Sequence, residues 1–494
     1  MTLTKSEYLL FLKHPSWLWL KKYDKTKIPE LDANTQVVFD AGHRLEAYAE
    51  QLFSGGHTLG FNNYNEYLSL PHRTKQAKEN GHTVLFQARY EANNLTCITD
   101  IVEFTSPSSL NLYEVKSGTK VKEENEFDLA FQLTVLESCG YTVDNISIIH
   151  VDGDYIRHGD IQPSELLKTV DVTEAVKARR EATAKHIASA FKILERNVIP
   201  DISPRHSRLG CMKEWVSIFR TLTEVPEMSI YDLTAPSATI IGELEDLDVV
   251  LIKDIPNSIK LTDKQARQVA AVKAGAHSVD IPKIKEFLST LTYPLYFFDY
   301  ETCKDVIPPF DGVKPHQQVT SQYSLHILEE PGGDIRHTEF IHRTNENPAH
   351  SLAASLRKDI GDTGTILVWY EPFEKSRNTE MAEMLPEYTE FFTQLNDRVI
   401  DLMTPFSEGY YVDPRFLGSA SIKKVLPVLV PELSYKELEV QEGQTAQRLW
   451  MEAVLEGKGS EQEKEKLFQD LLTYCELDTL AMVRIYERLL ALTK

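Results

Sequence analysis

Short runs of apolar residues that end in carboxylates recur along this chain, and their pattern predicts strands. Residues 295–298 are apolar and lead directly into Asp299, Tyr300 and Glu301. Side chains two positions apart in a strand point to the same face of a sheet. We therefore predict that Asp299 and Glu301 project from one side of a buried strand near its end.

A similar pattern occurs in the N-terminal half. Residues 96–102 predict a strand that contains Asp100, and residues 110–117 predict another, in which Glu114 and Lys116 share one face. Such an acid–base pair on a half-exposed strand is usually a surface ion pair. The nearby Asp100 and the helix that follows favour a functional site instead.

Several segments show helical patterns. Tyr474 and Asp478 lie one turn apart on the long helix predicted to close the chain, so both face the same way. Gln132 and His43 lie on two other predicted helices. The predicted helices span residues 39–53, 128–137, 173–194 and 460–494.

A connector is predicted between the two patterned regions. It is expected to contain short strands over residues 239–242 and 249–253 and a helix that begins at the cap signal Thr262. The chain is thus predicted to be α/β, with one domain on each side of the connector. The predicted boundaries are 1–225 for the first domain, 226–284 for the connector and 285–494 for the second domain.

The composition limits the possibilities. At 494 residues, of which 42% are hydrophobic, about two to four domains with real cores are expected. The five cysteines have no paired spacing, which is typical of reduced thiols in a cytosol. The first residues lack the pattern of a signal peptide, and no apolar run reaches membrane-spanning length. We therefore expect a cytoplasmic protein without a membrane partner.

The formal net charge of −21 argues against a generally basic surface that wraps nucleic acid. It does not exclude a metal-dependent nuclease, because carboxylate-rich metal sites are acidic by nature. Local basic strips would then hold the substrate. Lys120, close to Lys116, and the pair Lys423 and Lys424 are the candidates, although such strips are most often solvated faces.

Two carboxylates on a strand and a distant Tyr and Asp on a helix can together chelate two divalent metals for attack on a phosphodiester. Hard oxygen ligands suit Mg²⁺ or Mn²⁺. A further apolar strand over 366–369 leads to Glu371 and Glu374, and Asp401 is an alternative source of the same charge. Each motif alone is a weak signal, since short motifs match by chance.

In combination these residues resemble the motifs of the DEDD superfamily of 3′–5′ exonucleases, in the branch that carries a tyrosine. Glu371 and Glu374 stand where the superfamily usually has Asn and Asp, so the second motif is divergent. The resemblance implies an RNase H-like fold with a two-metal site, in which Tyr474 orients the attacking water. The metal ligands that it implies are Asp299, Glu301, Glu374 and Asp478.

The N-terminal residues resemble the core of PD-(D/E)XK nucleases of the RecB type. The resemblance implies that Asp100 and Glu114 hold Mg²⁺, while Lys116 orients or deprotonates water and offsets charge on the phosphate. Gln132 resembles a helix-borne glutamine that positions the strand in those nucleases. His43 falls where relatives place a metal-binding His or Glu.

Segments outside these motifs resemble a family of little-characterised prokaryotic proteins that fuse the two kinds of domain. The implied fold is a PD-(D/E)XK restriction-endonuclease-like domain followed by an RNase H-like exonuclease domain. The segments that carry this resemblance are residues 308–312, 321–326, 409–414 and 418–427.

One departure concerns the four cysteines with which many RecB-type relatives hold an iron–sulfur cluster. His14 stands where the first cysteine would be, and only His206 and Cys211 remain in the later segment. Four thiolates are the usual cluster set, so no cluster is expected. A zinc site built from these residues would lack a fourth ligand. Packing of three tryptophans is expected in its place: Trp17, Trp19 and Trp215.

We therefore expect a metal-dependent nuclease that acts on DNA at two sites, in repair or in defence against mobile elements or phage. Two alternatives stay open. One is a nucleic-acid- or protein-binding module in which one or both sites have decayed. The other is an RNA-processing exonuclease, because the C-terminal fold serves both nucleic acids.

Overall fold

The computed structural model describes residues 1–30 and 32–494 and has a mixed α/β architecture. The strands are β1 Leu3–Thr4, β2 His57–Thr58, β3 Val84–Ala92, β4 Leu95–Phe104, β5 Ser109–Lys116, β6 Thr142–Val151, β7 Leu167–Asp171, β8 Ser278–Val279, β9 Leu295–Cys303, β10 Val319–Leu328, β11 Ile335–Ile341, β12 Thr365–Val368, β13 Val399–Asp401 and β14 Tyr411–Val412. The helices are α1 Lys5–Lys13, α2 Pro15–Tyr23, α3 Ala33–Glu50, α4 Tyr64–Glu79, α5 Glu123–Ser138, α6 Pro163–Leu166, α7 Thr173–Ala178, α8 Arg180–Leu194, α9 Met212–Leu222, α10 Ala238–Asp246, α11 Asp263–Ala274, α12 Ile281–Ser289, α13 Ala349–Asp359, α14 Glu371–Met384, α15 Thr389–Asp397, α16 Thr404–Ser407, α17 Ile422–Leu429, α18 Gly443–Val454 and α19 Glu461–Ala491.

The N-terminal half is built on one sheet with the strand order β2-β3-β4-β5-β6-β7, and β1 pairs with β4. Strands β3, β4 and β5 are antiparallel neighbours, whereas β5 and β6 are parallel. Parallel neighbours need a crossover, and α5 supplies it. This helix is buried on nearly every side from Phe127 to Leu136, so the polar Asp128 and Gln132 are carried into the interior with it.

The C-terminal half is built on a second sheet with the order β11-β10-β9-β12-β13. Central strand β9 is antiparallel to β10 and parallel to β12. Its side chains alternate as predicted, with Leu295 and Phe297 in one core cluster and Tyr296 and Phe298 in another on the opposite face. Asp299 follows Phe297 on the first of these faces.

Helix α19 closes the chain and packs across β9 and β10. Its start is fixed by a capping box, in which the Ser460 side chain accepts from the Glu463 N–H and the Glu463 side chain accepts from the Ser460 N–H. This arrangement satisfies backbone donors that a helix start otherwise leaves unpaired. The predicted closing helix is confirmed, and so is the helix capped by Thr262, whose side chain accepts from the Gln265 N–H.

Two strand predictions in the connector are wrong. Residues 239–242 lie in α10, where Ile240, Ile241 and Leu244 recur at helical spacing and are buried together. The Ser237 side chain caps this helix by accepting from the Ile240 N–H. Residues 249–253 form an isolated bridge and one 3₁₀ turn rather than a strand. In both places the β-branched residues pack in a small helical cluster, which overrides their strand propensity.

The predicted helix over residues 173–194 is interrupted. It consists of α7 and α8, which meet at Arg179. The Arg179 guanidinium donates to Glu126 on α5 at 2.8 Å and lies 3.1 Å from Glu123. The break thus coincides with an ion-pair contact to the helix that carries Gln132.

The two halves contact each other through the segment after β9. Val306 packs in a core cluster whose other buried members are N-terminal residues, and Ile307 packs against the same cluster. Asp305 pairs with Arg44 on α3, and His316 Nε2 lies 2.6 Å from the carbonyl oxygen of Ser117 at the end of β5. Strands β5 and β9, two of the strands that carry candidate site residues, therefore end at the contact between the halves.

Within the described ranges, 1–30 and 32–494, none of the helices has the length and apolar character that crossing a membrane requires.

Candidate functional site

Strand β9 and helix α19 bring three of the predicted carboxylates together. A carboxylate oxygen from each of Asp299, Glu301 and Asp478 lies within 4.8 Å of the others. The alternation of β9 places Asp299 and Glu301 on the face that α19 covers. Asp478 is on the side of the helix that faces the sheet, and only 9% of its surface is exposed.

Glu374 supplies a fourth carboxylate from the first turn of α14. It is 2% exposed, and its Oε2 atom is buried without a hydrogen-bond partner among the residues that the structure describes. A buried oxygen that lacks a partner is costly. A divalent cation held between Glu374 and the other carboxylates would satisfy it, so this donor set fits Mg²⁺ or Mn²⁺.

Asp401 and Glu371 have other partners. The Asp401 carboxylate accepts from the backbone N–H groups of Tyr370, Glu371 and Met403, at 3.1, 3.1 and 2.9 Å. It thereby holds Tyr370 at a φ of 85°, in the turn that starts α14. Glu371 pairs with Lys375 at 2.6 Å. Glu374, rather than Asp401 or Glu371, is thus the acid that the turn directs into the buried cluster.

The pKa values of these acids report how closely they are confined. Burial, and then the charge of Asp478, raises the pKa of Asp299 well above its usual range. Burial, and then Asp299, has the same effect on the pKa of Glu301. Burial raises the pKa of Asp478 to about 6. Like charges at such distances do not ionise together without a compensating cation, which a metal would provide.

Tyr474 lies one turn before Asp478 on α19, as predicted, and is 3% exposed. Its hydroxyl and the Glu301 carboxylate lie close to the same position in the cleft. A Cβ placed on Gly443 would lie 3.9 Å from Tyr474 OH and 3.7 Å from Glu301 Oε2. Gly443 is the first residue of α18. A larger residue there would fill the space between the two groups.

Tyr435 is a site residue that sequence reasoning missed. Its hydroxyl donates to Asp478 Oδ1 at 2.5 Å, which orients that carboxylate. Lys423 Nζ lies 5.5 Å from the ring centroids of both Tyr435 and Tyr474. Tyr435 lies in a short 3₁₀ turn, where no periodic pattern marks it, so only the tertiary structure reveals its contact.

The cleft that holds these groups has an aromatic wall formed by Trp369, Tyr370 and Phe373. Tyr370 is 54% exposed. Lys423 lines the cleft, whereas Lys424 is exposed on the same helix and is not one of the lining residues in the described part of the chain. The structure therefore brings only one of the two predicted lysines to the cleft.

In the N-terminal half, the predicted residues Lys116 and Gln132 meet around Glu114, together with Asp128, which was not predicted as a site residue. Lys116 Nζ donates to Glu114 Oε1 at 2.6 Å and to Asp128 Oδ2 at 2.9 Å. Gln132 Nε2 donates to Glu114 Oε2 at 2.7 Å and to Asp128 Oδ1 at 3.0 Å. Lys120 is exposed in the turn after β5 and lies outside this network.

Asp100 lies beside this network. Its Oδ2 accepts from the Val115 N–H at 2.8 Å. Burial, and then the charge of Glu114, raises the pKa of Asp100 to about 8. Burial also acts on Glu114, but the ammonium groups of Lys116 and Lys5 outweigh it and hold the pKa of Glu114 well below its usual range.

Lys5 and Glu46 belong to this site, although sequence reasoning missed them. Lys5 Nζ lies 2.9 Å from Glu114 Oε1, and it reaches the site from the first turn of α1. Glu46 accepts from Gln87 Nε2 at 2.9 Å, and its charge acts on the pKa of Asp100. His43, the predicted residue of that helix, is exposed one turn before Glu46.

The protonation of Lys116 bears on its role. Burial lowers the pKa of Lys116, but Glu114 and Asp128 outweigh it and raise that pKa above its usual value. Lys116 is therefore an ammonium group. It is placed to offset negative charge rather than to take a proton from water.

His14, His206 and Cys211, where the sequence predicted no iron–sulfur cluster, lie in or beside a packed cluster of side chains. The His14 ring stacks on Trp215 with centroids 3.7 Å apart and planes at 12°. His14 Nδ1 accepts from the Ser16 N–H at 3.1 Å, and Nε2 lies 3.0 Å from the Ser203 carbonyl oxygen. Both ring nitrogens are thus engaged with backbone, which does not fit a zinc site with Cys211. Trp17 and Trp19 pack beside Trp215 as expected.

Comparison with known families gives a match to part of the C-terminal half. Residues 296–421 match a domain of unknown function (DUF2779). The matched part includes Asp299, Glu301 and Glu374, whereas Tyr474 and Asp478 lie beyond its end. No curated protein matches the chain.

Proposed function

We propose that the C-terminal half is a metal-dependent 3′–5′ exonuclease of the DEDD type. Asp299, Glu301, Glu374 and Asp478 would hold two Mg²⁺ or Mn²⁺ ions. One observation carries this proposal: the carboxylates converge beside Glu374 Oε2, which has no hydrogen-bond partner in the described part of the chain. A cation there would offset the repulsion between the carboxylates and give this oxygen a partner. The strand order, with β9 between antiparallel β10 and parallel β12, supports an RNase H-like domain.

The roles of the surrounding groups follow from their positions. Bound ions would activate a water and neutralise charge on the phosphate. Tyr474 holds its hydroxyl near Glu301, where it orients the water, and Tyr435 holds the Asp478 carboxylate in place. Lys423 offers positive charge to the phosphate. The aromatic wall of the cleft offers faces on which the bases of a single strand stack.

A second site of the PD-(D/E)XK type is proposed in the N-terminal half, with Asp100 and Glu114 as metal ligands. Lys116 and Lys5 would offset charge on the phosphate, and Gln132 would orient Glu114. Both Glu114 oxygens already accept hydrogen bonds from these groups, so a cation has to displace an ammonium group. We therefore expect this site to bind metal more weakly than the C-terminal one.

Both Glu114 oxygens already accept hydrogen bonds, which also favours a second candidate function, in which the N-terminal half binds the substrate without cleaving it. DNA is the proposed substrate and the cytoplasm the proposed compartment, with repair or defence against mobile elements or phage as the setting. The PD-(D/E)XK and DEDD resemblances support DNA, and RNA is the alternative that the assay distinguishes.

The decisive experiment measures Mn²⁺ binding and cleavage with the same full-length protein. End-labelled single- and double-stranded DNA and RNA are incubated with wild type and with Asp299→Asn, which keeps the shape of the side chain but removes its charge. The matched control is Asp397→Asn, an exposed acid at the end of α15. We expect Asp299→Asn to lose 3′–5′ trimming and tight Mn²⁺ binding, and the control to keep both.

Two outcomes would contradict the proposal. Trimming by Asp299→Asn at the wild-type rate would show that the chemistry lies elsewhere. Tight Mn²⁺ binding by wild type without cleavage of any substrate would instead support a binding module with a decayed site.

A further inference from the structure

A cluster of imidazole and carboxylate side chains lies beside the proposed nuclease centre. His326 on β10 and His337 on β11 are cross-strand partners, and their ring centroids are 4.5 Å apart. Glu476 reaches them from α19, two residues before Asp478. One ligand atom from each of His326, His337 and Glu476 lies within 4.8 Å of the other two.

A chain of hydroxyl groups orients both rings. His326 Nδ1 lies 2.8 Å from Thr479 Oγ1, Thr479 Oγ1 lies 2.7 Å from Ser324 Oγ, and Ser324 Oγ lies 2.9 Å from His337 Nε2. These bonds use Nδ1 of His326 and Nε2 of His337, so His326 Nε2 and His337 Nδ1 are the nitrogens that remain to bind an ion. The second of these nitrogens lies 3.8 Å from Glu476 Oε1, so it faces the carboxylate.

This pattern is the one that metal-binding histidines show. Such a histidine uses one ring nitrogen for the ion and donates its other N–H to a neighbouring acceptor, which fixes the tautomer and the plane of the ring. Here the acceptors are Thr479 and Ser324. Two imidazoles and one carboxylate are a ligand set that suits zinc or a similar transition metal, whereas Mg²⁺ prefers oxygen ligands.

We propose that His326, His337 and Glu476 form a zinc site that is separate from the carboxylate cluster. His326 Nε2, His337 Nδ1 and the Glu476 carboxylate would be the protein ligands, and water would fill the fourth position. The ligands come from the edge hairpin β10–β11 and from α19. The ion therefore ties that hairpin to the helix that carries Tyr474 and Asp478.

The two proposed sites differ in the metal that they select, and this difference separates their tests. Nitrogen ligands favour Zn²⁺ and Co²⁺ over Mn²⁺, following the general order of affinities. Co²⁺ in a tetrahedral site with imidazole ligands absorbs visible light. Chelator-treated full-length protein is titrated with Co²⁺ and then with Zn²⁺, in wild type and in the Asp299→Asn background. We expect one equivalent of Co²⁺ with visible absorption in both, displaced by Zn²⁺.

Variants assign the ligands. His337→Gln and Glu476→Gln should each abolish the visible absorption, and both side chains are partly exposed, so the fold should tolerate the changes. Matched controls are His350→Gln on α13 and Glu487→Gln on α19, whose side chains are 67% and 44% exposed. Thr479→Val keeps the shape of its side chain but removes the hydroxyl, and it should weaken Co²⁺ binding about 10–100-fold.

The outcomes separate this proposal from the nuclease proposal. Absence of visible absorption in wild type, or its persistence in both His337→Gln and Glu476→Gln, would overturn the zinc site. Loss of the absorption in Asp299→Asn would assign the ion to the carboxylate cluster and would also overturn it. Retention in Asp299→Asn with loss in His337→Gln would support it, whether or not the protein cleaves nucleic acid.

Discussion

The stack of His14 on Trp215 predicts how the stability of the N-terminal half depends on pH. His14 is fully buried, and burial lowers its pKa from 6.5 to about 4. Protonation would place a hydrogen on Nδ1, which instead accepts from the Ser16 N–H. The folded state therefore resists the proton that the unfolded state takes up readily.

The sign and size follow from this difference. Because the folded-state pKa lies below the unfolded value, the contribution of His14 to stability is present above pH 6.5 and is lost as the pH falls towards 4. The full loss is about 3 kcal/mol, because lowering the pKa of His14 from 6.5 to about 4 costs about 1.4 kcal/mol for each tenfold change in proton affinity. About 2 kcal/mol of it is lost by pH 5.

Urea unfolding followed by tryptophan fluorescence measures this loss, since Trp215 reports directly on the stack. The free energy of unfolding of wild type is compared with that of His14→Asn from pH 7.5 to 4.5. His14 is the N-cap of α2, and its side chain accepts from the Ser16 N–H. Asparagine is also a good N-cap, so the variant keeps the helix start while it removes the titrating ring. The matched control is His350→Asn, at an exposed position.

Wild type should lose about 2 kcal/mol more than His14→Asn between pH 7.5 and pH 5, whereas the control should follow wild type. Parallel curves for wild type and His14→Asn would refute the reasoning. They would show that the ring takes up its proton in the folded state, and thus that it is not held neutral between Trp215 and the backbone.

Two further predictions concern the proposed sites, and a third concerns the iron content of the protein. Tyr435→Phe removes the hydrogen bond to Asp478 and should lower the initial rate of trimming about 10–100-fold, because a hydrogen bond to a charged group contributes about 1.5–3 kcal/mol. An unchanged rate would show that Tyr435 does not position the carboxylate. In an Asp299→Ala protein, residual metal-dependent cleavage should disappear when Lys116→Ala is added. It should persist in part with Lys116→Arg, since the role of Lys116 is to supply positive charge, which arginine also carries. Cleavage that does not depend on Lys116 would contradict the N-terminal assignment. Anaerobically purified protein should lack the visible absorption of an iron–sulfur cluster, and about four irons per chain would overturn this expectation.

Regular elements allowed much of the C-terminal site to be predicted from sequence. Alternation along β9 placed Asp299 and Glu301 on one face, and helical spacing placed Tyr474 and Asp478 together on α19. These relations depend only on residues close in the chain. The pairing of the two elements came from the resemblance, and the structure brings them together.

Residues whose partners are distant in the chain were beyond such reasoning. Lys5 meets Glu114 across more than one hundred positions of chain, and Tyr435 reaches Asp478 from a short turn. No periodic signal marks either residue. The two strand predictions in the connector failed for a different reason, because its β-branched residues pack as helix in a small cluster formed by residues 230–272 of the same segment.

The contact between the halves bears on how this protein can be divided. The segment that follows strand β9 leads from the carboxylate cluster to Asp305, which pairs with Arg44, and Arg44 precedes Glu46 of the other site by two residues. Val306 lies within the apolar core of the N-terminal half. A cut placed in the connector would therefore strip that core of a side chain and leave Arg44 without its partner. The two sites are built as parts of one folded body, and fragments would report on the cut as much as on the chemistry.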